Sequence, residues 1–282
     1  MRPSPIDPTQ RGLVRIDYPA LPAPVRAAVE AHTGRVRASR SADVGTNAAI
    51  TAFLDTEDGR VLLKGVPKAH PAARDQQREA DVNPYIRGIG PRMLWCEEAA
   101  GWHLLGFEVI EARCANYESG SPDLPKIGAT LAEVAELPCP PVAMLSAGRR
   151  WGPYLDRIED QQLIAGDRLL HTDPNPGNVL VTEERAWLVD WAWSTRGAAF
   201  IDLACLLPRL VVAGHSPAEA EDWAARHPVW QEADRAAATV FSLALARLVR
   251  KLADDDPAAE WRRPMVKATQ HWAQHRSGGT RV

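Results

Sequence analysis

Along the first hundred residues apolar positions fall in short runs bounded by polar and turn-forming residues, a pattern that predicts strands. The candidates are Val36–Ser39, Ala48–Leu54, Arg60–Lys64, Arg92–Glu97 and Trp102–Ile110. Asp55-Thr56-Glu57-Asp58-Gly59 joins the second to the third, and its Asp-Gly step is a hairpin signal. Between the third and fourth strands, Pro71 to about Val82 is rich in Ala, Arg, Gln and Glu and predicts a helix, with Pro71 at a permitted first-turn position. Six prolines before residue 25 predict an extended arm of about twenty residues, followed by a short helix from Pro24 to about His32.

The pattern changes near residue 111, where a polar stretch containing Gly and Pro runs to Pro125. Beyond it Ile127–Leu137 and Tyr154–Ile164 predict helices. Leu169-Leu170 and Asn178–Thr182 flank a loop, and Ala186–Val189 returns after a turn as one small hairpin. Apolar positions then recur every three or four residues through Ala220–Arg226, Asp234–Lys251 and Ala258–Trp272. The expected fold class is α+β, with a small five-stranded antiparallel N-lobe carrying one helix and a larger, mostly helical C-lobe. Residues 1–110 form the arm and N-lobe; residues 111–282 form the connector and C-lobe.

Composition narrows the function. With 33 basic and 36 acidic residues the net charge is −3, which gives no basic field for nucleic acid. The longest apolar run, Ala236–Ala246, is interrupted by Thr239 and Ser242. It falls well short of the roughly 20 residues that span a bilayer. The start of the chain lacks a charged segment followed by an apolar core. Four cysteines, at 96, 114, 139 and 205, are scattered without a CxxC pair, which fits reduced thiols and argues against structural zinc. The expectation is a cytoplasmic protein with neither nucleic-acid nor membrane partners, of unspecified oligomeric state.

The chemistry concentrates in His171-Thr172-Asp173-Pro174-Asn175-Pro176-Gly177-Asn178, followed by Leu188-Val189-Asp190-Trp191. The H-x-D-x-x-x-x-N spacing, with a second Asp at the end of a returning strand, supplies the groups that phosphoryl transfer needs. One carboxylate orients the attacking hydroxyl, while an amide oxygen and a second carboxylate hold Mg²⁺ against the phosphates. The plain alternative is a turn made of turn-forming residues. Upstream, Lys64 ends the third strand, where an ammonium can reach phosphate oxygens, and Glu79 lies on the following helix. Alternatively Lys64 is a solvated strand end and Glu79 pairs with Arg74 or Arg78.

The order strand-Lys, helix-Glu, connector, HxDxxxxN, strand-Asp resembles the aminoglycoside phosphotransferase and choline kinase-like family over about residues 34 to 210. That resemblance implies a bilobal protein-kinase-like fold, with ATP or GTP as donor and Mg²⁺ as cofactor. It makes Asp173 the catalytic base or orienter, Asn178 and Asp190 the magnesium ligands, Lys64 the phosphate lysine and Glu79 its partner. It also suggests that Asp202 braces the catalytic loop, where the sequence alone allows an ordinary helix N-cap; His171 then shapes the loop. The nucleotide lies between lobes in such folds, with adenine on the Glu108 carbonyl and the Ile110 amide. The phosphate-covering loop departs from the pattern, holding the single glycine Gly45 and no GxGxxG. Thr172 stands where protein kinases carry Arg, and Asp190-Trp191 replaces Asp-Phe-Gly, which favours a small-molecule acceptor.

For the acceptor, residues 202–260 carry ten carboxylates against six Lys/Arg, a balance that suits an amino-bearing substrate such as an aminoglycoside. Solvated helix faces give the same count. Trp191, Trp193 and Arg196 are candidate pocket residues. The leading expectation is therefore an ATP- or GTP-dependent O-phosphotransferase acting on a small-molecule hydroxyl, in antibiotic resistance, biosynthesis or primary metabolism. The alternatives are a kinase-like nucleotide- or peptide-binding protein without phosphotransfer, and a kinase of a peptide precursor. Only five of the 33 basic residues are lysines, and before the lobe boundary these are Lys64 and Lys68. Lys68 lies beyond Gly65-Val66-Pro67, so Lys64 is the one candidate for a compact phosphate-binding ammonium.

Overall fold

The computed structural model describes residues 13–42 and 48–278, so Gly45 lies outside the described residues. The chain divides into two compact units, Met1–Ala112 with Val189–Trp193, and Arg113–Leu188 with Ser194–Val282.

In the first unit α1 (Ala23–Thr33) precedes β1 (Val36–Ser41), β2 (Ile50–Thr56) and β3 (Gly59–Pro67). Then come α2 (Ala72–Val82), β4 (Met93–Ala99) and β5 (Trp102–Glu108). The five strands form an antiparallel sheet in the order β1-β2-β3-β5-β4. The β4–β5 turn places Ala100 and Gly101 at φ 47° and 80°, the left-handed pair whose twist suits a two-residue hairpin.

Alternation assigns the faces. Ile50, Ala52, Leu54 and Leu63 pack with Leu104 against Tyr18, Leu21, Val25 and Val29. Leu62, offset by one residue, joins Ala80, Leu105 and Phe107 on the side covered by α2. Lys64 shares the parity of Leu62, and its Nζ lies 5.7 Å from the centroid of the Phe107 ring. The pleat itself therefore delivers Lys64 to α2. The expected extended arm differs in its second half. Ile16 N–H donates to Ala49 O at 2.9 Å, and Tyr18–Ala20 make a 3₁₀ turn. Helix α1 presents only Val25 and Val29 to this cluster, so Tyr18 and Leu21 complete the cover over the sheet.

The second unit begins with β6 (Arg113–Cys114), α3 (Asp123–Ala135), β7 (Leu145–Ser146), α4 (Ala147–Trp151) and α5 (Gln161–Ile164). Next are β8 (Arg168–Leu170), β9 (Val179–Val181), β10 (Ala186–Leu188) and β11 (Thr195–Gly197). Five helices close it: α6 (Ile201–Val212), α7 (Pro217–Ala224), α8 (Pro228–Gln231), α9 (Arg235–Asp255) and α10 (Arg263–Arg276). The expected hairpin is β9–β10, extended by β6. Leu169-Leu170 does not join it: β8 pairs with β11, whose other neighbour is β7. The eight-residue loop between β8 and β9 is too long to fix a register as a tight turn does.

Helix α3 starts before Pro125, because proline is tolerated in a first turn. The single helix expected over Tyr154–Ile164 is instead two 3₁₀ turns and α5, since Leu155 and Arg157 are extended, with ψ of 150° and 142°. The chain breaks between α9 and α10, as the two separate stretches predict, but α10 begins at Arg263, after the 3₁₀ turn Glu260–Arg262, rather than at Ala258. Among the described residues no helix is long and apolar enough to cross a membrane.

Candidate functional site

Two polar clusters carry the predicted residues, one in each unit. In the first, Lys64 Nζ donates to Glu79 Oε1 and Oε2 at 2.7 and 2.9 Å and to Asp190 Oδ1 at 3.2 Å. The Lys64 and Glu79 side chains are only 12 % and 4 % exposed. Burial alone lowers the Lys64 pKa, but the Asp190 and Glu79 carboxylates outweigh it and hold it above its ordinary value. Burial raises the Glu79 pKa against the pull of Lys64, and the neighbouring Asp190 carboxylate adds to the rise. Lys64 is thus a fixed positive charge, and the solvated strand end is excluded.

Helix α2 also holds the segment that carries Asp190. Glu79 Oε1 accepts the Trp191 N–H at 3.2 Å, and Arg78 Nη1 donates to Ala192 O at 2.6 Å and to Asp75 Oδ1 at 3.0 Å. Arg78 therefore pairs with Asp75 rather than Glu79. Asp190 sits at φ 65°, a left-handed conformation that costs a non-glycine residue about 1–3 kcal/mol and persists only where the surroundings over-determine it. The bonds from Lys64, Glu79 and Arg78 to Asp190 and its neighbours supply that determination.

In the second unit the loop after β8 is built around Asp173. Its Oδ2 accepts Asn175 Nδ2 at 3.0 Å and Asn178 Nδ2 at 3.1 Å, and its Oδ1 accepts Arg209 Nη2 at 2.9 Å. Asn175 also caps the 3₁₀ turn Pro176–Asn178, accepting the N–H groups of Gly177 and Asn178 at 2.9 and 3.2 Å. Asp202, in the first turn of α6, accepts the N–H of His171 at 2.9 Å and of Thr172 at 2.6 Å. Asp202 lies inside the first turn, one residue past the first helical position, with Phe200 at the N-cap. Burial raises its pKa, opposed by His171 and these two N–H groups. Thr172 is left-handed, at φ 70°, and its hydroxyl accepts from the buried Arg150. His171 is fully buried, and its Nδ1 accepts the Asp173 N–H at 3.3 Å, so it shapes the loop. Tyr117 Oη donates to Pro174 O at 2.7 Å.

Lys64, Glu79 and Asp190 thus come together in one unit, and Asp173, Asn178, His171 and Asp202 in the other. Glu108 ends β5, with its side chain accepting the Arg92 N–H at 2.8 Å. Ile110 lies just past that strand. Trp191 is 1 % exposed, so its indole is a packing element with no face for an acceptor. Trp193 is half-buried, and Arg196 is exposed on β11. Arg209, Arg150, Asn175 and Tyr117 escaped the sequence reading. Asp202 and Arg209 are seven residues apart, two helical turns, and this shared face is the signal that could have found Arg209. Arg150 lies 22 residues from Thr172 and carries no local signal.

Each unit offers an oxygen of the kind magnesium takes. Asn178 uses its amide N–H groups on Asp173, which leaves its oxygen; Lys64 takes Oδ1 of Asp190, which leaves Oδ2. Among the described residues neither oxygen has a hydrogen-bond partner, and no group of three or more His, Cys, Asp and Glu could hold a metal. One or two oxygen ligands completed by phosphates and water are the usual magnesium arrangement.

Residues 165–238 match the phosphotransferase enzyme family, APH, a segment that contains the Asp173 loop, Asp190 and Asp202. No curated protein matches the sequence. Among solved structures the chain is similar to the choline kinase LicA from Streptococcus pneumoniae, at 12% identity and TM-score 0.64, over 89% of this chain and 98% of that one. It is similar to a thermostable mutant of aminoglycoside phosphotransferase APH(4)-Ia at 16% identity and TM-score 0.57, over 88% and 97%. A ternary complex of a further variant of that mutant with AMP-PNP and hygromycin B gives 14% identity and TM-score 0.55, over 86% and 98%. The resemblance read from the motifs is borne out: the chain has the protein-kinase-like fold of the aminoglycoside phosphotransferases and choline kinases, and residues 165–238 carry the signature of the phosphotransferase enzyme family.

Proposed function

We propose that the protein is a phosphotransferase that moves the γ-phosphoryl group of ATP, or GTP, to a hydroxyl of a small molecule. The observation that carries this reading is the Asp173 carboxylate, fixed by Asn175, Asn178 and Arg209. A carboxylate offers about four acceptor positions. Three are filled, which leaves one for an acceptor hydroxyl. In the transfer the hydroxyl oxygen bonds to the γ-phosphorus, the bond to the β–γ bridging oxygen breaks, the nucleoside diphosphate leaves, and the hydroxyl proton passes to Asp173. Lys64 holds phosphate oxygens, with Glu79 fixing its rotamer. Asn178 and Asp190 would hold magnesium, which neutralises the phosphate charge when bound. The Ile110 N–H, bonded to no protein acceptor among the described residues, supports its reading as an adenine contact. The amino-bearing hygromycin B of one similar structure and the acidic balance of residues 202–260 support a hydroxylated amine as one acceptor class.

Thermal shifts with ATP and GTP, with and without Mg²⁺, test the donor, and an acceptor screen tests transfer. A magnesium-dependent nucleotide shift followed by product phosphorylation is expected. No such shift would sink the proposal; a shift without transfer to any acceptor would favour the kinase-like binding protein. Glu79→Gln weakens the grip on Lys64 while keeping an acceptor for the Trp191 N–H. It is expected to lower kcat/KM for ATP by about tenfold to hundredfold, the value of one charge-assisted hydrogen bond. Unchanged steady-state kinetics would remove Glu79 from the site.

A further inference from the structure

Helix α6 touches the Asp173 loop at both ends. Asp202 braces the loop from its first turn, and Arg209, two turns on and on the same face, reaches Asp173 Oδ1 at 2.9 Å. Cys205, between them on that face, is buried. Asp202 and Arg209 are the only charged residues of α6, and Arg209 is the cation that pairs with Asp173. Arg209 donates through Nη2 alone. Among the described residues no other group accepts from its guanidinium, and its side chain is 23 % exposed, beside an Asp173 side chain that is 25 % exposed. A guanidinium has five N–H donors in a planar fork suited to paired oxygens. Most of them are therefore open, held at a fixed orientation next to the carboxylate that orients the acceptor hydroxyl.

An acceptor presenting an ammonium next to its reacting hydroxyl would bring like charge against this guanidinium. An acceptor presenting an oxyanion there would satisfy the open donors at little ordering cost, because Asp173 already holds the fork in place. We propose that Arg209 selects the acceptor: a small molecule whose reacting hydroxyl lies within a few atoms of an oxyanion, a carboxylate or a phosphate monoester. The inference rests on the reading of Asp173 as the group that orients the hydroxyl. The acidic balance of residues 202–260 acts over the wider surface, whereas Arg209 acts at the reacting atoms.

Two matched sets of probes test it, glycerate, glycerol 3-phosphate, glycerol and 3-amino-1,2-propanediol, then gluconate, glucose 6-phosphate, glucose and glucosamine. Each is titrated into the full chain with Mg²⁺ and AMP-PNP while the Arg209 Nε resonance is followed, assigned by its loss in Arg209→Lys. Each is then assayed for phosphorylation with ATP. The acidic members are expected to shift the resonance, and in kcat/KM to exceed their neutral and amino counterparts by about tenfold to hundredfold. The split between carboxylates and phosphates identifies which oxyanion is read. In Arg209→Gln the acid preference should collapse, chiefly through KM, and Arg209→Lys should restore part of it. A preference for the amino members, a preference that survives Arg209→Gln, or no shift with any acid would overturn the inference. The wild-type titration needs no folded variant. A chain that binds Mg·ATP and phosphorylates neutral or amino acceptors sinks this inference alone; a chain with no magnesium-dependent nucleotide shift sinks the phosphotransferase reading and this inference with it.

Discussion

Replacing Asp173 by asparagine lowers kcat by about a thousandfold or more while the fold survives. General-base and orienting carboxylates contribute roughly 10²–10⁴ in rate, and an amide can neither take the hydroxyl proton nor offer both oxygens. The variant has a structural cost as well. Asn175 and Asn178 both donate to Oδ2 and Arg209 donates to Oδ1, so the new NH₂ must face a donor whichever way the amide turns. One lost hydrogen bond of this kind is worth about 1 kcal/mol, or roughly 2–4 °C in a chain of this size. The expected pattern is therefore a large loss in kcat against a small fall in the thermal midpoint. Steady-state assays on the best acceptor, with calorimetry on the same preparation, measure both. A variant within tenfold of the native rate would show that Asp173 neither orients nor deprotonates the acceptor.

What the sequence made legible was whatever depends on short spacing. The strand read over Arg60–Lys64 placed Lys64 just before the helix, and that helix put Glu79 within reach, 15 residues on. The bonds that Asp173, Asn175 and Asn178 make with one another are local, so that part of the turn follows from its own residues. The braces are less visible because they join distant positions. Arg150 meets Thr172 across 22 residues, and Arg209 meets Asp173 across 36. Neither pair leaves a period in the sequence. The hairpin β9–β10 was legible, but the partner of β8 was not, for a related reason: β8 pairs with β11, a three-residue strand with no signal of its own. Trp191 was misjudged as a pocket residue because its place after Asp190 says nothing about burial, which packing within the first unit decides.

The second large effect belongs to Asp202, which touches neither nucleotide nor acceptor in the proposed reaction. Its carboxylate is buried and accepts two backbone N–H groups, those of His171 and Thr172. Truncation to alanine leaves both donors buried without a partner, at about 1–3 kcal/mol each. Removing the buried charge offsets part of this, for a net loss of about 2–4 kcal/mol. The midpoint should fall by roughly 5–10 °C. Asn keeps one oxygen and sets its NH₂ against the other donor, so Asp202→Asn should fall between the native protein and Asp202→Ala. The effect on rate follows from the backbone. Thr172 holds a left-handed φ of 70°, one residue before Asp173, and the Asp202 bond to its N–H is part of what keeps it there. Freed of that bond the residue relaxes toward ordinary φ and re-aims Asp173, so kcat should fall by about a hundredfold with KM for ATP little changed. Magnitude separates this role from a favourable charge at a helix N-terminus, which is worth only about 0.3–1 kcal/mol and leaves the loop alone. Urea unfolding of the native, Asn and Ala forms, alongside their kcat values, decides it. A loss below 1 kcal/mol with native turnover in Asp202→Ala would reduce Asp202 to a helix-end charge and leave the left-handed Thr172 to be held by Arg150.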